Sequence, residues 1–319
     1  MSINWGFIGA GMVASKALAP AVKAARNANL YAVASRDKTK AAALGPQVAY
    51  DNYDLLINDP KVDAVYISLP NNLHKELAIK ALNGGKHVLC EKPLAMNHQE
   101  AQEIFDLAKV NNLLLVEAIW FRFHPRSIKL AQVIKAGEIG EPLTLDATFT
   151  FENTTLSNYR FDPLQGGGAL LDLGPYPLHL LTLLTGVESV LTIDSVAQKM
   201  SDSGVDLTTT VKGVSGKQLT FNIHLSFEQA AKQEISITGS NGQLSFGMND
   251  AFTNWNKPST LTVNNTTHNF AALDPYQLMV EAVSDSIAGV TSWLPSAAES
   301  LFVMGALDQI RTDKRSGKI

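Results

Sequence analysis

Lys92 is the residue of this sequence best placed to do chemistry. It stands in Gly85-Lys86-His87-Val88-Leu89-Cys90-Glu91-Lys92-Pro93-Leu94, where His87 to Cys90 reads as a buried strand that Pro93 stops, because proline cannot donate to a sheet ladder. Ligands of open parallel sheets bind just beyond the carboxyl ends of the strands, so Glu91 and Lys92 are delivered to such a crevice. A second group lies in Gly166-Gly167-Gly168-Ala169-Leu170-Leu171-Asp172-Leu173-Gly174-Pro175-Tyr176-Pro177-Leu178-His179. Asp172, Tyr176 and His179 fall at i, i+4 and i+7, one face of a regular helix. A tyrosine of ordinary pKa, about 10, is a poor base at neutral pH, and a neighbouring lysine cation lowers that value. The chemistry in question is therefore proton transfer at a hydroxyl. Plainer readings stand beside it: Lys92 solvated in a loop, Asp172 capping a helix, Tyr176 and His179 as satisfied core residues. For His179 the plainer reading is preferred, and Pro175 and Pro177 mark an irregular turn. The glycines permit a backbone to pass close to a ligand.

The segments upstream of Lys92 build a nucleotide site. Ile3 to Ile8 is a short apolar run followed by Gly9-Ala10-Gly11-Met12-Val13-Ala14. Gly9 permits the tight turn, Gly11 the approach of a pyrophosphate, Ala14 close helix packing, and the helix start offers free N–H groups. A helical stretch to about Arg26 and a second strand, Asn29 to Ala34, supply the required context. At the end of that strand, where an acidic residue holds the ribose of NAD, the chain has Ser35-Arg36-Asp37. A hydroxyl and a guanidinium suit a ribose 2′-phosphate, so NADP is expected over NAD. Asp37 caps the next helix, Lys38 to Leu44.

Alternation continues through strand Val48 to Tyr50, a helix near Tyr53 to Asn58, and strand Ala64 to Ser68, which ends in Leu69-Pro70-Asn71-Asn72-Leu73-His74. Leu69, Pro70 and Asn71 are expected on the nicotinamide side, with Asn71 capping helix Leu73 to Asn83. His74 is either a cofactor-side contact or an ordinary first-turn residue. Asn97 and Glu100 have capping-box spacing and open a helix to about Asn111. Strand Leu113 to Glu117 closes the sheet.

The pattern changes near residue 119, giving a dinucleotide domain over 1–119 and a second domain over 120–319. Trp120 and Arg122 are expected at a substrate cleft, although aromatic packing explains Trp120 equally well. Helix Ser127 to Lys135 and a turn at Gly137 to Pro142 precede the strands Leu143–Phe151, Val190–Lys199, Val205–Val214, Gln218–Phe227, Gln233–Thr238, Gln243–Phe246 and Thr260–Val263. Turn residues at 215–217 and 240–242 mark hairpins, and helices return at 275–288 and 295–312. The expected architecture is α/β plus α+β: a doubly wound parallel sheet, then an open, mostly antiparallel sheet with helices on one face. Its other face needs cover, which a second copy supplies.

With 319 residues, 45% hydrophobic and 18% charged, the chain has the composition of a soluble globular protein. A net charge of −4 carries no basic excess to recommend nucleic acid or an anionic membrane. The single cysteine, Cys90, reads as a small buried hydrophobe and fits a reducing, cytoplasmic setting. No apolar run is long enough to span a bilayer, and no His, Cys or carboxylate cluster has metal-ligand spacing.

Gly9 to Ala14, Glu91-Lys92-Pro93, Glu117-Ala118-Ile119-Trp120 and Gly166 to Tyr176 together resemble the glucose-fructose oxidoreductase / inositol dehydrogenase / MocA (Gfo/Idh/MocA) family, over essentially the whole chain. Many members place histidine where this chain has Tyr176. Tyrosine there, with Trp120 and Arg122, is similar to the branch containing dimeric trans-1,2-dihydrodiol dehydrogenases. The resemblance implies Lys92 and Tyr176 as the catalytic pair, Asp172 as a substrate or orienting residue, NADP as cofactor, a homodimer or dimer of dimers, and sugars, inositols or other vicinal diols as substrates. A non-catalytic NADP- and sugar-sensing regulator, or an enzyme that retains its cofactor between two sugars, remains an alternative.

Overall fold

The computed structural model describes residues 2–153, 155, 157–247, 249–313 and 317–318. Two compact units result: 1–123 with 274–300, and 124–273 with 301–319. The division lies close to residue 119, but the segment Asp274–Ser300 returns to the first unit.

In the first unit, β1 (Ile3–Ile8) leads into a helix whose Ala14–Leu18 turn is π-type before α1 (Ala19–Ala24). There follow β2 (Ala28–Ala34), α2 (Lys38–Ala43), β3 (Val48–Tyr50), α3 (Tyr53–Ile57), β4 (Ala64–Ile67), α4 (His74–Asn83), β5 (His87–Cys90), α5 (His98–Val110) and β6 (Leu115–Glu117). The six strands are all parallel, in the order β3-β2-β1-β4-β5-β6. That is the doubly wound dinucleotide-binding order. Both faces are covered, so the strands read as apolar runs rather than alternating ones. Caps fall where side chains provide them: Asp37 accepts from the N–H groups of Thr39 and Lys40, and Asn97 from that of Glu100 at 2.9 Å. Asn71 is not the cap expected of it. The chain enters α4 through a 3-10 turn, Asn71–Leu73, with no capping side chain and Asn71 itself buried.

In the second unit the elements are α6 (Pro125–Lys135), β7 (Pro142–Thr150), α7 (Ala169–Leu173), α8 (Pro175–Thr185), β8 (Leu191–Met200), β9 (Asp206–Ser215), β10 (Leu219–Ser226), β11 (Lys232–Gly239), β12 (Gly242–Phe246), β13 (Ser259–Val263) and β14 (Thr266–Phe270). With β15 (Gly317–Lys318) they form a sheet ordered β14-β13-β12-β11-β7-β10-β9-β8-β15. It is mostly antiparallel, but β7 and β10 run parallel, and β15 is parallel to β8. Helices α6, α7 and α8 pack on this unit's strands. Leu145, Ala147 and Phe149 of β7 and Phe221, Ile223 and Leu225 of β10 face inward; Asp146, Thr148, Asn222 and His224 face outward. The edge strand β14 is absent from the expectation because four of its five residues are polar and none is buried, so no apolar alternation announces it. Its turn is Asn264-Asn265, with Asn264 at φ 53.

The return segment supplies α9 (Pro275–Ile287), which packs on α1 and β2. Trp5 Nε1 donates to Ser284 Oγ at 3.1 Å, Asn27 Nδ2 to the Glu281 carbonyl at 2.9 Å, and Arg26 pairs with Asp285. The final helix is α10 (Ala297–Thr312).

His124 starts the second unit as the N-cap of α6, its Nδ1 accepting the Arg126 N–H at 3.0 Å. Burial, and then the nearby Arg126 cation, push its imidazole down to about 4. The unfolded chain, with an imidazole near the usual ~6.5, therefore binds more protons below neutrality, and this contribution to stability is present above about pH 6.5 and lost as pH falls toward 4. Denaturant unfolding should show about 2 kcal/mol of loss from this group between pH 7.5 and 5. His124→Asn, which keeps a capping side chain, should flatten that slope; an unchanged slope refutes the assignment.

Candidate active site

The glycine loop meets the geometric demands of a pyrophosphate cradle. Gly9 has φ +105, and a Cβ there would lie 2.5 Å from the Ser68 carbonyl oxygen. A Cβ on Gly11 would find only that oxygen, at 3.9 Å, so the space above Gly11 is open at the start of the helix. Ala10 and Val13 are half-buried and Met12 is exposed beside it. At the end of β2, the Ser35 Oγ accepts the Asp37 N–H, and Arg36 lines a cavity of about 310 Å³ with Asn52, Tyr53, Leu73 and Leu77 among its walls.

Around the ends of β4 and β5 the loops are tied together. Leu69 and Pro70 are half-buried. His74 is fully buried, with Nδ1 at 2.9 Å from the Pro93 carbonyl and Nε2 at 2.9 Å from the Leu69 carbonyl. Of the two readings of His74, these contacts favour the structural one over the cofactor contact: both ring nitrogens face the chain, and the residue joins the loop after β4 to the loop after β5. Burial holds the imidazole below its ordinary value, against the pull of those two carbonyls. Glu91 accepts from the Tyr66 hydroxyl at 2.6 Å; burial and then Glu91 push that phenol well up, so it stays a donor. Lys92 is half-buried between Glu91 and the cis Pro93. Cys90 is buried and its thiol is raised by burial, as suits an unreactive core residue.

Beyond β6, Trp120 stacks on Tyr276 at 4.6 Å and is buried. Arg122 is only 3% exposed, donates to Glu299 at 2.9 Å and lies over the Trp293 ring at 5.2 Å. Within this unit both residues therefore serve packing and charge pairing, the plainer of the readings for Trp120.

The second unit holds the other candidates. The helix through Asp172, Tyr176 and His179 is divided at Gly174, and Pro175 and Pro177 sit in the first turn of α8, where their missing N–H groups cost little. Asp172 does not cap a helix; Gly168 is the N-cap residue of α7, and Asp206 at the start of β9 accepts the Leu170 N–H at 2.8 Å. Asp172 instead takes two bonds from Arg160, Nε at 2.6 Å and Nη2 at 3.2 Å. Tyr176 is buried, its ring 5.3 Å from Phe149 and 5.7 Å from Phe252. His179 is fully buried, in line with the core reading. The glycine run serves the chain itself: a Cβ on Gly167 would lie 2.5 Å from the Arg160 carbonyl oxygen, and one on Gly168 2.2 Å from Asp206 Oδ1. Arg160, Asp206, Phe149 and Phe252 were not found from sequence, and only the requirement that a buried Asp172 find a cation could have pointed to Arg160.

The two glycines of the loop should separate experimentally. Gly9→Ala forces a side chain into a left-handed backbone against a carbonyl, and should cost about 1–3 kcal/mol of stability. Gly11→Ala has room in the free protein and should stay within about 0.5 kcal/mol, while dinucleotide affinity falls about tenfold or more. Thermal melting and fluorescence titration with NADPH check both; tight binding by Gly11→Ala would refute the cradle.

Residues 3–118 match the GFO_IDH_MocA family, described as an oxidoreductase family with NAD-binding Rossmann fold, and 128–245 match the GFO/IDH/MocA C-terminal domain. D-xylose 1-dehydrogenase (NADP(+)) 2 of Haloferax volcanii is 31% identical, with 98% of each chain covered. Trans-1,2-dihydrobenzene-1,2-diol dehydrogenase of Macaca fascicularis is 34% identical over 75% of this chain and 72% of its own. The crystal structure of a 3-ketoreductase from Actinomadura kijaniata, in complex with NADP and TDP-benzene, superposes with a TM-score of 0.90 at 28% identity, covering 100% of this chain and 99% of that one. The glycine cradle, the parallel sheet and the second unit thus agree with these likenesses, and the chain belongs to the Gfo/Idh/MocA family of oxidoreductases.

Proposed function

We propose that this protein is an NADP-dependent dehydrogenase or reductase that moves a hydride between nicotinamide and a hydroxyl-bearing or carbonyl carbon of a sugar, inositol or other vicinal diol. The observation that carries the reading is Tyr176, a buried phenol gripped by two phenylalanine rings with an ion pair on the preceding turn, in a chain that also keeps the pyrophosphate cradle. The relatives act on xylose, a dihydrodiol and a keto sugar, substrates that share this chemistry.

Bound NADP supplies or accepts the hydride. Gly9 to Val13 receive its pyrophosphate, Ser35 and Arg36 its 2′-phosphate, and Leu69, Pro70, Asn71, Glu91 and Lys92 its nicotinamide side. Lys80, in the same cavity as Arg36, is paired with Glu76 and Asp54. Arg36 forms no ion pair among the described residues, which leaves its guanidinium for the phosphate. Tyr176 takes or returns the substrate hydroxyl proton, the Lys92 cation favours its ionised form, and Asp172 orients it. Trp120 and Arg122 contribute to substrate binding.

A panel of D-xylose, other aldoses, inositols and trans-dihydrobenzenediol, followed by NADPH absorbance, tests the activity. On the substrate turned over, Tyr176→Phe should lower turnover by about 10² to 10⁴ with cofactor affinity kept, and His179→Asn should do far less; the reverse order sinks the assignment. Arg36→Ala should weaken NADP binding by about tenfold or more and leave NAD nearly unchanged. Equal wild-type affinity for the two cofactors would overturn the NADP preference.

The outward face of the second unit's sheet carries Asp146, Thr148, Thr210, Lys212, Asn222 and His224, polar residues that are half-buried or exposed. We infer a homodimer through this face. Light scattering should give twice the chain mass; a monomer at high concentration excludes it.

A further inference from the structure

We propose that Arg160 is a positioning residue of the reaction: by a two-point grip it fixes Asp172 in its ionised form, four residues ahead of Tyr176. The proposal rests on Tyr176 as the acid/base and adds to it a residue outside the catalytic set.

Arg160 lies in the 3-10 turn Tyr159–Phe161. Its guanidinium meets the carboxylate edge-on, Nε to Oδ2 at 2.6 Å and Nη2 to Oδ1 at 3.2 Å. Such a fork fixes direction as well as distance, which a lysine cannot do. Both side chains are largely withdrawn from water, at 20% and 7% exposure. The turn is itself held. Asn158 Oδ1 accepts the Arg160 N–H at 3.1 Å, the Gly168 N–H donates to the Arg160 carbonyl at 2.9 Å, and the Gly167 N–H to that of Asp162 at 2.9 Å. The guanidinium lies over the Tyr159 ring at 5.0 Å. The glycines therefore clamp the arginine's backbone while its side chain holds the aspartate on the helix that the same glycines begin.

Titratable groups from three elements lie beside the pair. Tyr159 is on the turn, Tyr176 is on α8, and Asp206 lies across Gly168, bonded to Leu170 N–H and Thr209 Oγ1. Asp172 raises the guanidinium above its ordinary value against the opposing effect of burial, and Tyr159 and Tyr176 add to the rise. Arg160 is thus a lasting cation beside both proposed reaction groups of this unit. Its charge beside the carboxylate favours the ionised form over the neutral acid.

The test uses the full-length protein and the variants Arg160→Gln, Arg160→Lys, Asp172→Asn and Arg160→Gln/Asp172→Asn. On the panel substrate that the wild type turns over, Arg160→Gln should lower kcat by about ten- to a hundredfold, the loss expected from a misplaced reacting group. NADPH affinity should hold, and the acidic limb of the kcat profile should move to higher pH. Arg160→Lys should recover part of kcat and part of the shift. In the Asp172→Asn background, Arg160→Gln should have no further effect on kcat, because the residue acts through the carboxylate. An infrared pH titration reads the same point without turnover: the carboxylic-acid band that distinguishes Arg160→Gln from the double variant should appear at higher pH than in wild type. Arg160→Gln with wild-type kcat, profile and infrared titration, even at a lowered melting temperature, overturns the proposal and leaves a structural ion pair. If Arg160→Gln does not fold, wild-type values in Arg160→Lys overturn it equally. A wild-type-like Tyr176→Phe defeats the acid/base assignment instead, and the infrared result then stands alone for Arg160.

Discussion

A parallel sheet of six strands cannot leave either face to water, and much of the first unit follows from that requirement. The strands are short apolar runs because both sides are buried, so polar groups are confined to the strand ends. Those ends carry Gly9, Ser35, Leu69, Glu91 and Lys92. Cover for the surface around β2 and α1 comes from α9, drawn from more than 150 residues further along the chain, and fastened through Trp5, Arg26 and Asn27. The loops after β4 and β5 are tied together for a related reason: His74, with no access to water, spans them through their carbonyls.

Three arginines, Arg122 and Arg126 buried and Arg160 half-buried, divide the remaining work. Arg122 joins the end of the first unit's strands to Glu299, Arg126 joins α6 to Asp250 and the Asp250 and Ala251 carbonyls, and Arg160 holds Asp172. The first two connect positions 177 and 124 residues apart. Pairs of this kind add little net stability, because desolvation offsets the attraction, yet losing one partner costs about 3–5 kcal/mol. Arg160 differs in bridging only 12 residues, between a turn and a helix.

Much of this architecture was legible in the sequence, and the gaps have physical causes. Apolar runs ending in glycine or proline gave the parallel strands and their order along the chain, since burial on both faces leaves a strong composition signal. Alternation located seven strands of the second unit, because one face is polar. Strand β14 escaped because it carries a single apolar residue, Phe270, and the parallel β7–β10 pair because register is decided by contacts distant in sequence. Asp172 and Tyr176 were visible as titratable residues among leucines. Arg160 was not, because a lone arginine in a turn looks solvated until the fold places a carboxylate beside it. The glycine run was read as letting a backbone pass close to a ligand; at Gly167 and Gly168 the close neighbours are the Arg160 backbone and the Asp206 side chain, both from this chain.

The return of Asp274–Ser300 to the first unit also bears on how the chain is made. Synthesis proceeds from the N-terminus at about 5–20 residues per second, so the seat of α9 waits on the order of ten seconds for its occupant while the second unit emerges. During that interval the Trp5 indole and the Asn27 amide lack the partners they have in the finished protein. The nucleotide-binding unit therefore cannot close until Asp274–Ser300 has been made. A nascent chain stalled in the second unit would present an uncovered apolar seam, a natural target for a holdase chaperone.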